Sequence, residues 1–301
     1  MFELLFRCFL QIKFCRLRFF PACVYEISLR IVSIVGKYFS SGYHFSMHEF
    51  NQIYSFCKAH QCRFYIAMDN FVSENEKMLM YEYFDYIDSL DVDGIFFHDL
   101  GIYDAAKSYN LLDKLIYDGR SVLCNSLDTA FLLDKGIDSV VLSRELTLSE
   151  ITAIVRNNPQ KVNLQIFGHV RLSQSKRKFL TNYFREIHKD YDYLNKETLS
   201  LIEEKREYRM PILEEESGTS IYSDYILEMF SEIVDLKPYL KRGIIDTLFL
   251  EDEKQIFEVC RDYKRITKAN HEFIKNSLYH SYPDVYSSGY LYQKTNITKD
   301  E

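Results

Sequence analysis

Proline and glycine are scarce in this chain, five and ten among 301 residues, and tryptophan is absent. That scarcity excludes collagen-like repeats, low-complexity segments and long flexible linkers. Several signatures of known chemistry are missing too. There is no His-Glu-x-x-His, no His-x-His and no paired Asp motif, so zinc-peptidase chemistry has no ligand set. Without Gly-x-Ser-x-Gly, a serine-hydrolase elbow is unsupported. No Gly-x-Gly-x-x-Gly follows any strand, which removes the dinucleotide fingerprint. The seven cysteines (Cys8, Cys15, Cys23, Cys57, Cys62, Cys124 and Cys260) are odd in number and contain no pair of Cys-x-x-Cys motifs. They suggest neither a disulfide framework nor a zinc site, and a reducing cytoplasm is the expected location. No window reaches the ~18 uninterrupted apolar residues of a membrane span, so no membrane partner is expected.

What is present is a globular composition, 47% hydrophobic with a formal charge of −7. The overall charge argues against a nonspecific nucleic-acid binder. Residues 171–190 differ, carrying six Lys or Arg against Glu186 and Asp190, a net of +4. A solvated helix face and an anion- or RNA-facing patch both explain that segment. Residues 1–30 interleave Phe, Leu and Cys with five basic residues and stand apart as an N-terminal segment of uncertain structure.

Strand-then-helix units recur from residue 31 at intervals of about 25 to 35 residues, the grammar of a parallel α/β fold. Strands are expected at 31–35, 63–68, 94–98, 140–142, 162–167 and 244–250, and either 114–117 or 122–124 supplies one more. Ser46 with Glu49, Ser73 with Glu76, and Thr147 with Glu150 have capping-box spacing and mark helix starts. The expected fold is a TIM-like (β/α) barrel with a small inserted or C-terminal β-hairpin/helical region. Its barrel spans 31–266 with an insertion at about 184–222, and a C-terminal helix and tail occupy 267–301. Within the insertion, 184–206 is expected to be charged and helical, and 207–222 a hairpin with Gly218 near its turn. Helix is expected again over 223–236, and little packing beyond residue 287.

In a barrel the carboxyl ends of the strands converge on one face. The polar residues at those ends are Asn70, Asp99, Asn125, Arg144 with Glu145, His169, and Asp246 or Glu251. Glu145 and His169 are the candidate acid–base groups, although a loop ion pair for Arg144 and Glu145 and a hydrogen-bonded structural role for His169 are the plain alternatives. Cys124 at a strand end is a conceivable nucleophile, but its apolar flank favours a core role.

The run Leu164 to Tyr183, with Gln165, Phe167, Gly168, Ser175 and Arg177, resembles the signature of the collagenase-like peptidase family U-32. The likeness extends to Val92-Asp93-Gly94-Ile95 with Asp99-Leu100-Gly101, to Val141 through Leu146, to Pro211 through Glu214 with Gly218-Thr219, and to Gly289 through Tyr292. Cluster-binding members of that family supply four cysteines, two of them within or just after the signature; here Ser173, Ser175 and Lys178 occupy that region. An iron–sulfur cluster held by this chain is therefore not expected, because thiolates are the ligands such clusters need. The signature glutamate is also replaced, by Gln165. The short, cysteine-poor branch that the chain resembles implies hydroxylation of a tRNA wobble uridine, using prephenate and working beside a longer, cysteine-containing paralogue. By that resemblance Arg144, Lys176 and Arg177 anchor a carboxylate or phosphate, with Ser175 beside them, and Asn182 and Tyr183 contact a base or sugar. A collagenase-like peptidase and a noncatalytic scaffold subunit are the alternative functions.

Overall fold

The computed structural model describes residues 3–7, 26–30, 47–120, 123–202, 208–250 and 252–293. The expected strand at 31–35 and the capping box of Ser46 and Glu49 involve residues outside this set. Residues 1–30 contribute two strands, β1 (Glu3–Arg7) and β2 (Glu26–Arg30), each described by its backbone pairing. Helix α1 (Met47–Ala59) then buries Phe50, Ile53 and Cys57 at spacings of three and four, one face of a helix.

The central run alternates strand and helix: β3 (Arg63–Met68), α2 (Lys77–Asp88), β4 (Gly94–Phe97), α3 (Leu100–Ser108), β5 (Leu115–Asp118), α4 (Ser126–Asp134), β6 (Ser139–Val141), α5 (Leu148–Asn157) and β7 (Val162–Ser175). Local chemistry sets several of these boundaries. At Thr147 the capping box forms as spaced, the Thr147 N–H donating to Glu150 Oε2 at 2.8 Å. At Ser73 the same box opens a 3-10 turn that leads into α2. Of the two apolar pieces around Asp118-Gly119, the first is the strand.

After β7 come α6 (Phe179–Glu186), β8 (Ser200–Ile202), β9 (Arg209–Glu215) and β10 (Gly218–Glu228), then α7 (Ile233–Leu236), β11 (Arg242–Asp246), α8 (Glu253–Arg265), α9 (His271–Ser281) and β12 (Tyr286–Ser287). The hairpin around Gly218 is therefore present, but of the expected helix over 184–206 the described part, 184–202, is helical only to Glu186 before an irregular stretch and β8. Of the segment read as helix over 223–236, β10 takes the start, to Glu228, and only Ile233–Leu236 is helical. The tail packs further than its sequence suggests, since β12 pairs with β10 and Leu291 is buried.

The expected TIM-like barrel is corrected by the sheet. A TIM-like ring repeats a strand followed by a covering helix eight times. Here β1 to β7 are parallel neighbours in chain order and β11 is parallel to β7 and to β1, but the strand-helix repeat is broken after β7, which runs on for 14 residues and pairs antiparallel with β10. From β10 the sheet continues outward through β9 to β8. The result is a curled α/β half-barrel, open at the β8 end, with twelve strands among the described residues. The curl also lays β11 beside both β1 and β7.

β3 to β6, the first half of β7 and β11 are buried on both faces, and β3, β4 and β6 read as apolar runs. On the concave face Tyr65, Ala67, Phe96, Ile116, Val141 and Ile244 pack together. On the convex face Phe64, Ile66, Ile95, Phe97 and Val140 meet the helices in a larger core. The amino end of the concave face is closed by Arg242, which donates to Tyr65 Oη at 3.1 Å, Asp138 Oδ2 at 3.1 Å and Ser139 Oγ at 3.2 Å.

Gly168 permits the close approach of β7 and β11. Its φ is +107°, and a Cβ there would lie 2.0 Å from the Asp246 carbonyl oxygen. Gly168→Ala is expected to lower stability by about 2 kcal/mol or more, read from the urea midpoint. An unchanged midpoint would contradict the approach.

Candidate functional site

The carboxyl ends of β3 to β6 and the outer half of β7 enclose a cleft of about 360 Å³. Its lining includes Phe71, His98, Asp118, Arg120, Arg144, Glu145, Arg171, Gln174, Asp246 and Tyr290. Three guanidinium groups share this space. The Arg144 side chain, only 8% exposed, donates from Nη1 and Nη2 to the two Asp118 oxygens at 3.2 and 3.3 Å, and from Nε to Gln165 Oε1 at 2.6 Å. Gln165 thus orients an arginine at the position where the family signature places an acid. Arg171, on β7, reaches Asp69 at 3.6 Å, Tyr222 Oη at 3.3 Å and Gln174 Oε1 at 3.2 Å.

Arg120 is different. It follows Asp118-Gly119 with a left-handed backbone, φ +50°, and donates from Nη1 to Gln174 Oε1. Its guanidinium carbon lies 5.5 Å from the Phe71 ring centroid, while Nε and Nη2 are buried without a hydrogen-bond partner. Among the described residues Arg120 forms no ion pair. Burial, reinforced by Arg171, pushes its pKa down to about 10, which leaves it charged at neutral pH. Arg171 moves the other way: burial opposes its charge, but Tyr222 and Asp69 outweigh that and hold it above the ordinary range. Gln174 ties the set together, accepting from Arg120 and Arg171 through one oxygen while its Nε2 donates to Asn70 Oδ1 at 2.8 Å. Asn70 is 3% exposed and its Nδ2 also lacks a partner.

His98 lines the same cleft. Its Nδ1–H donates to the Asp118 carbonyl at 2.9 Å, and burial followed by Arg120 lowers its pKa, so the ring is neutral at pH 7 with Nε2 as its acceptor. The chemistry available is thus a rigid array of cationic donors, a neutral imidazole and, at the rim, the exposed Glu145 carboxylate.

The residues singled out from the sequence divide into three groups. Arg144 and Glu145 line the cleft and Asn70 touches it through Gln174. Asp99 and Asn125 serve as helix caps: Asp99 Oδ1 accepts from Gly101 N at 2.8 Å, and Asn125 Oδ1 accepts from Leu127 N and Asp128 N, each at 2.9 Å. His169 lies inside β7 and not at its end; its Nδ1–H donates to the Ser223 carbonyl at 2.8 Å and its ring stands edge-on to Phe249. The third group sits on the arm beyond the cleft. Ser175 Oγ accepts from Arg177 N at 3.1 Å, Lys176 lies 3.6 Å from Glu76, and Asn182 Oδ1 accepts from Arg185 at 2.9 Å beside the exposed Tyr183. Sequence reasoning missed Arg120, Arg171, Gln174 and His98. The polar positions alternating with Val170 and Leu172 along β7 were the available signal for two of them.

Among the described residues no group of three or more His, Cys, Asp or Glu is placed to hold a metal ion. Cys57 and Cys260 are buried in the core, and burial pushes the Cys57 thiol up to about 12 and raises that of Cys124. Among the described residues no helix is long and apolar enough to cross a membrane.

Comparison with known proteins adds a family. The model of peptidase family U32 matches residues 39–300. The tRNA hydroxylation protein P2 of Bacillus subtilis is 29% identical over 178 residues, covering 57% of each chain. An uncharacterized protease of Methanocaldococcus jannaschii is 33% identical over 126 residues, 40% of this chain and 30% of the relative. The chain thus spans about half or less of the length of these curated relatives. The solved structure of a U32 peptidase aligns with 82% of this chain and 92% of its own, at 15% identity and a TM-score of 0.49.

Two measurements check the site's electrostatics. Asp118→Ala leaves the buried Arg144 without its carboxylate and is expected to cost about 3–5 kcal/mol in urea unfolding; a loss under about 1 kcal/mol would contradict the pairing. Burial lowers the pKa of both His98 and His169 below the ordinary 6.5. The unfolded chain therefore takes up protons first, so their contribution is full above about pH 6.5 and is lost as pH falls through the folded values. Urea midpoints are expected to drop as pH falls from about 6.5 to about 5, and less so in the His98→Asn, His169→Asn double variant. Equal drops in the two proteins would contradict the assignment.

Proposed function

The chain belongs to peptidase family U32, and from that premise we propose that it takes part in prephenate-dependent 5-hydroxylation of a tRNA wobble uridine, beside a longer, cysteine-containing paralogue. The observation that carries this reading is Arg120. A buried guanidinium with two unpaired donors, beside two guanidiniums already engaged, fits a carboxylate that brings its own charge and a fork of acceptors. Each unpaired buried donor costs about 1–3 kcal/mol, so a ligand carboxylate gains by relieving them. Prephenate carries two such groups. In this reading Arg120 takes one carboxylate, Asn70 Nδ2 supplies a further donor, and Gln174 holds both residues in register. Arg144 and Arg171 shape the field around the ligand, in place of the direct anchoring that the resemblance implies for Arg144, Lys176 and Arg177. His98 Nε2 accepts a proton or a hydroxyl hydrogen bond, and Glu145 is the acid–base group nearest solvent.

The likeness to a tRNA hydroxylation protein supports the reaction class, and the cleft supports the anion. Peptide hydrolysis is the second reading, favoured by the family's name and by the Ser173 hydroxyl on the cleft wall. Mass spectrometry of tRNA nucleosides from a host lacking this gene is expected to show loss of 5-hydroxyuridine derivatives. Complementation by the wild type should restore them, and Arg120→Ala should restore at most a tenth. An unchanged nucleoside profile in the deletion strain would remove the proposal. Cleavage of gelatin by the purified protein, abolished by Glu145→Gln, would favour the second reading.

A further inference from the structure

We propose that the outer face of α6 is a docking surface for a single-stranded loop of RNA; the inference rests on the tRNA reading above and extends it to a second, distinct surface. α6 buries none of its side chains. Phe179, Tyr183 and Ile187 succeed one another at every fourth position, a single stripe, and are 40, 57 and 37% exposed. The stripe is rigidly mounted. The buried Glu214 carboxylate accepts from Leu180 N at 2.7 Å and Thr181 N at 3.1 Å, and Thr219 Oγ1 accepts from Phe179 N at 3.0 Å. Phe184 stacks on Tyr191 and Tyr193, at centroid separations of 5.1 and 5.2 Å. The helix is thus clamped to the hairpin of β9 and β10 while its aromatic stripe faces outward.

Charge selects the partner. Arg177, Arg185 and Lys189 flank the stripe and form no ion pair among the described residues. Of the six cations in 171–190, Arg171 pairs with Asp69 and Lys176 with Glu76; Arg177, Lys178, Arg185 and Lys189 remain against Glu186 and Asp190, in a chain of net −7. A solvated salt-bridged helix face would pair its cations with neighbouring acids; this one leaves them available to phosphates. Exposed aromatic rings between available cations suit unstacked bases, whose faces are free only where the strand is single. The surface is also continuous with the cleft, because β7 carries Arg171 and Gln174 at the cleft wall and leads directly into Arg177 and α6. A nucleotide presented to the cleft would therefore lay the adjoining backbone along this face.

Fluorescence anisotropy of the full chain with a short fluorescein-labelled RNA stem-loop, and with a fully paired duplex of equal length, tests the inference. The stem-loop should bind more tightly than the duplex. Tyr183→Ala should weaken stem-loop binding about fivefold or more. Arg185→Ala with Lys189→Ala should flatten the dependence of log affinity on log salt by about 0.7 per cation removed. These side chains are exposed, and unchanged urea midpoints will show that the variants fold. Absence of binding, equal affinity for the duplex, or variants that bind like the wild type would overturn the inference. So would self-association of the chain that Tyr183→Ala abolishes, which would assign the stripe to protein. Tyr183→Ala in the deletion strain separates the two proposals. If deletion removes the tRNA modification and Tyr183→Ala restores it fully, the docking surface falls and the function stands. If deletion leaves the tRNA unchanged, the function falls whatever the binding assay reads.

Discussion

Three guanidinium groups in one small cleft repel one another, and the site exists because that repulsion is offset locally. Asp118 neutralises Arg144 in a two-point pair, Asp69 lies against Arg171, and a single amide oxygen, that of Gln174, receives donors from both Arg120 and Arg171. Glu145 and Asp246 also line the cleft, but Arg120 has no direct ion pair among the described residues. It keeps its charge at a depressed pKa with two donors unpaired, which is what the proposed carboxylate would satisfy.

The fold explains why these residues meet. Parallel strands bring their carboxyl ends to one side, and the curl of the sheet turns those ends toward each other. The concave face is filled by Tyr65, Phe96, Ile116, Val141 and Ile244, and capped below by Arg242 with its partners. Packing beneath the cleft is therefore dense, which fixes the strand ends and, through them, the arginines. The long β7 serves two surfaces: its first half completes the sheet, and its second half supplies Arg171 and Gln174 to the cleft wall before carrying the arm outward. That continuity is lost if β7 stops at Phe167, as its apolar run suggests.

Much of the secondary structure was legible because it is locally encoded. β3 and β4 follow from apolar runs, and α5 follows from Thr147 and Glu150. What escaped depends on tertiary context. Gly168 reads as a strand terminator, yet its positive φ serves close contact with Asp246 inside a continuing strand, so His169 was placed at an end it does not occupy. Asp99 was correctly placed just after its strand, whereas β5 ends at Asp118, well before Asn125; polar residues at such positions satisfy helix N-termini as readily as ligands, and a sequence cannot separate the two uses. Arg120 sits in what reads only as an Asp-Gly turn; its importance comes from burial and from Gln174, 54 residues away. The barrel expectation failed for a related reason, since repeat spacing counts strand-helix units but does not show where a strand outgrows the repeat.

The claim on which the account turns is that Arg120 makes this cleft a carboxylate site. Isothermal titration of the full chain with prephenate, against the monocarboxylate phenylpyruvate and the Arg120→Ala variant, tests it most directly. The account predicts saturable binding of prephenate by the wild type, weaker binding of the monocarboxylate, and at least a tenfold loss in Arg120→Ala at unchanged stability. Equal binding by wild type and variant, or no binding by either, would contradict it.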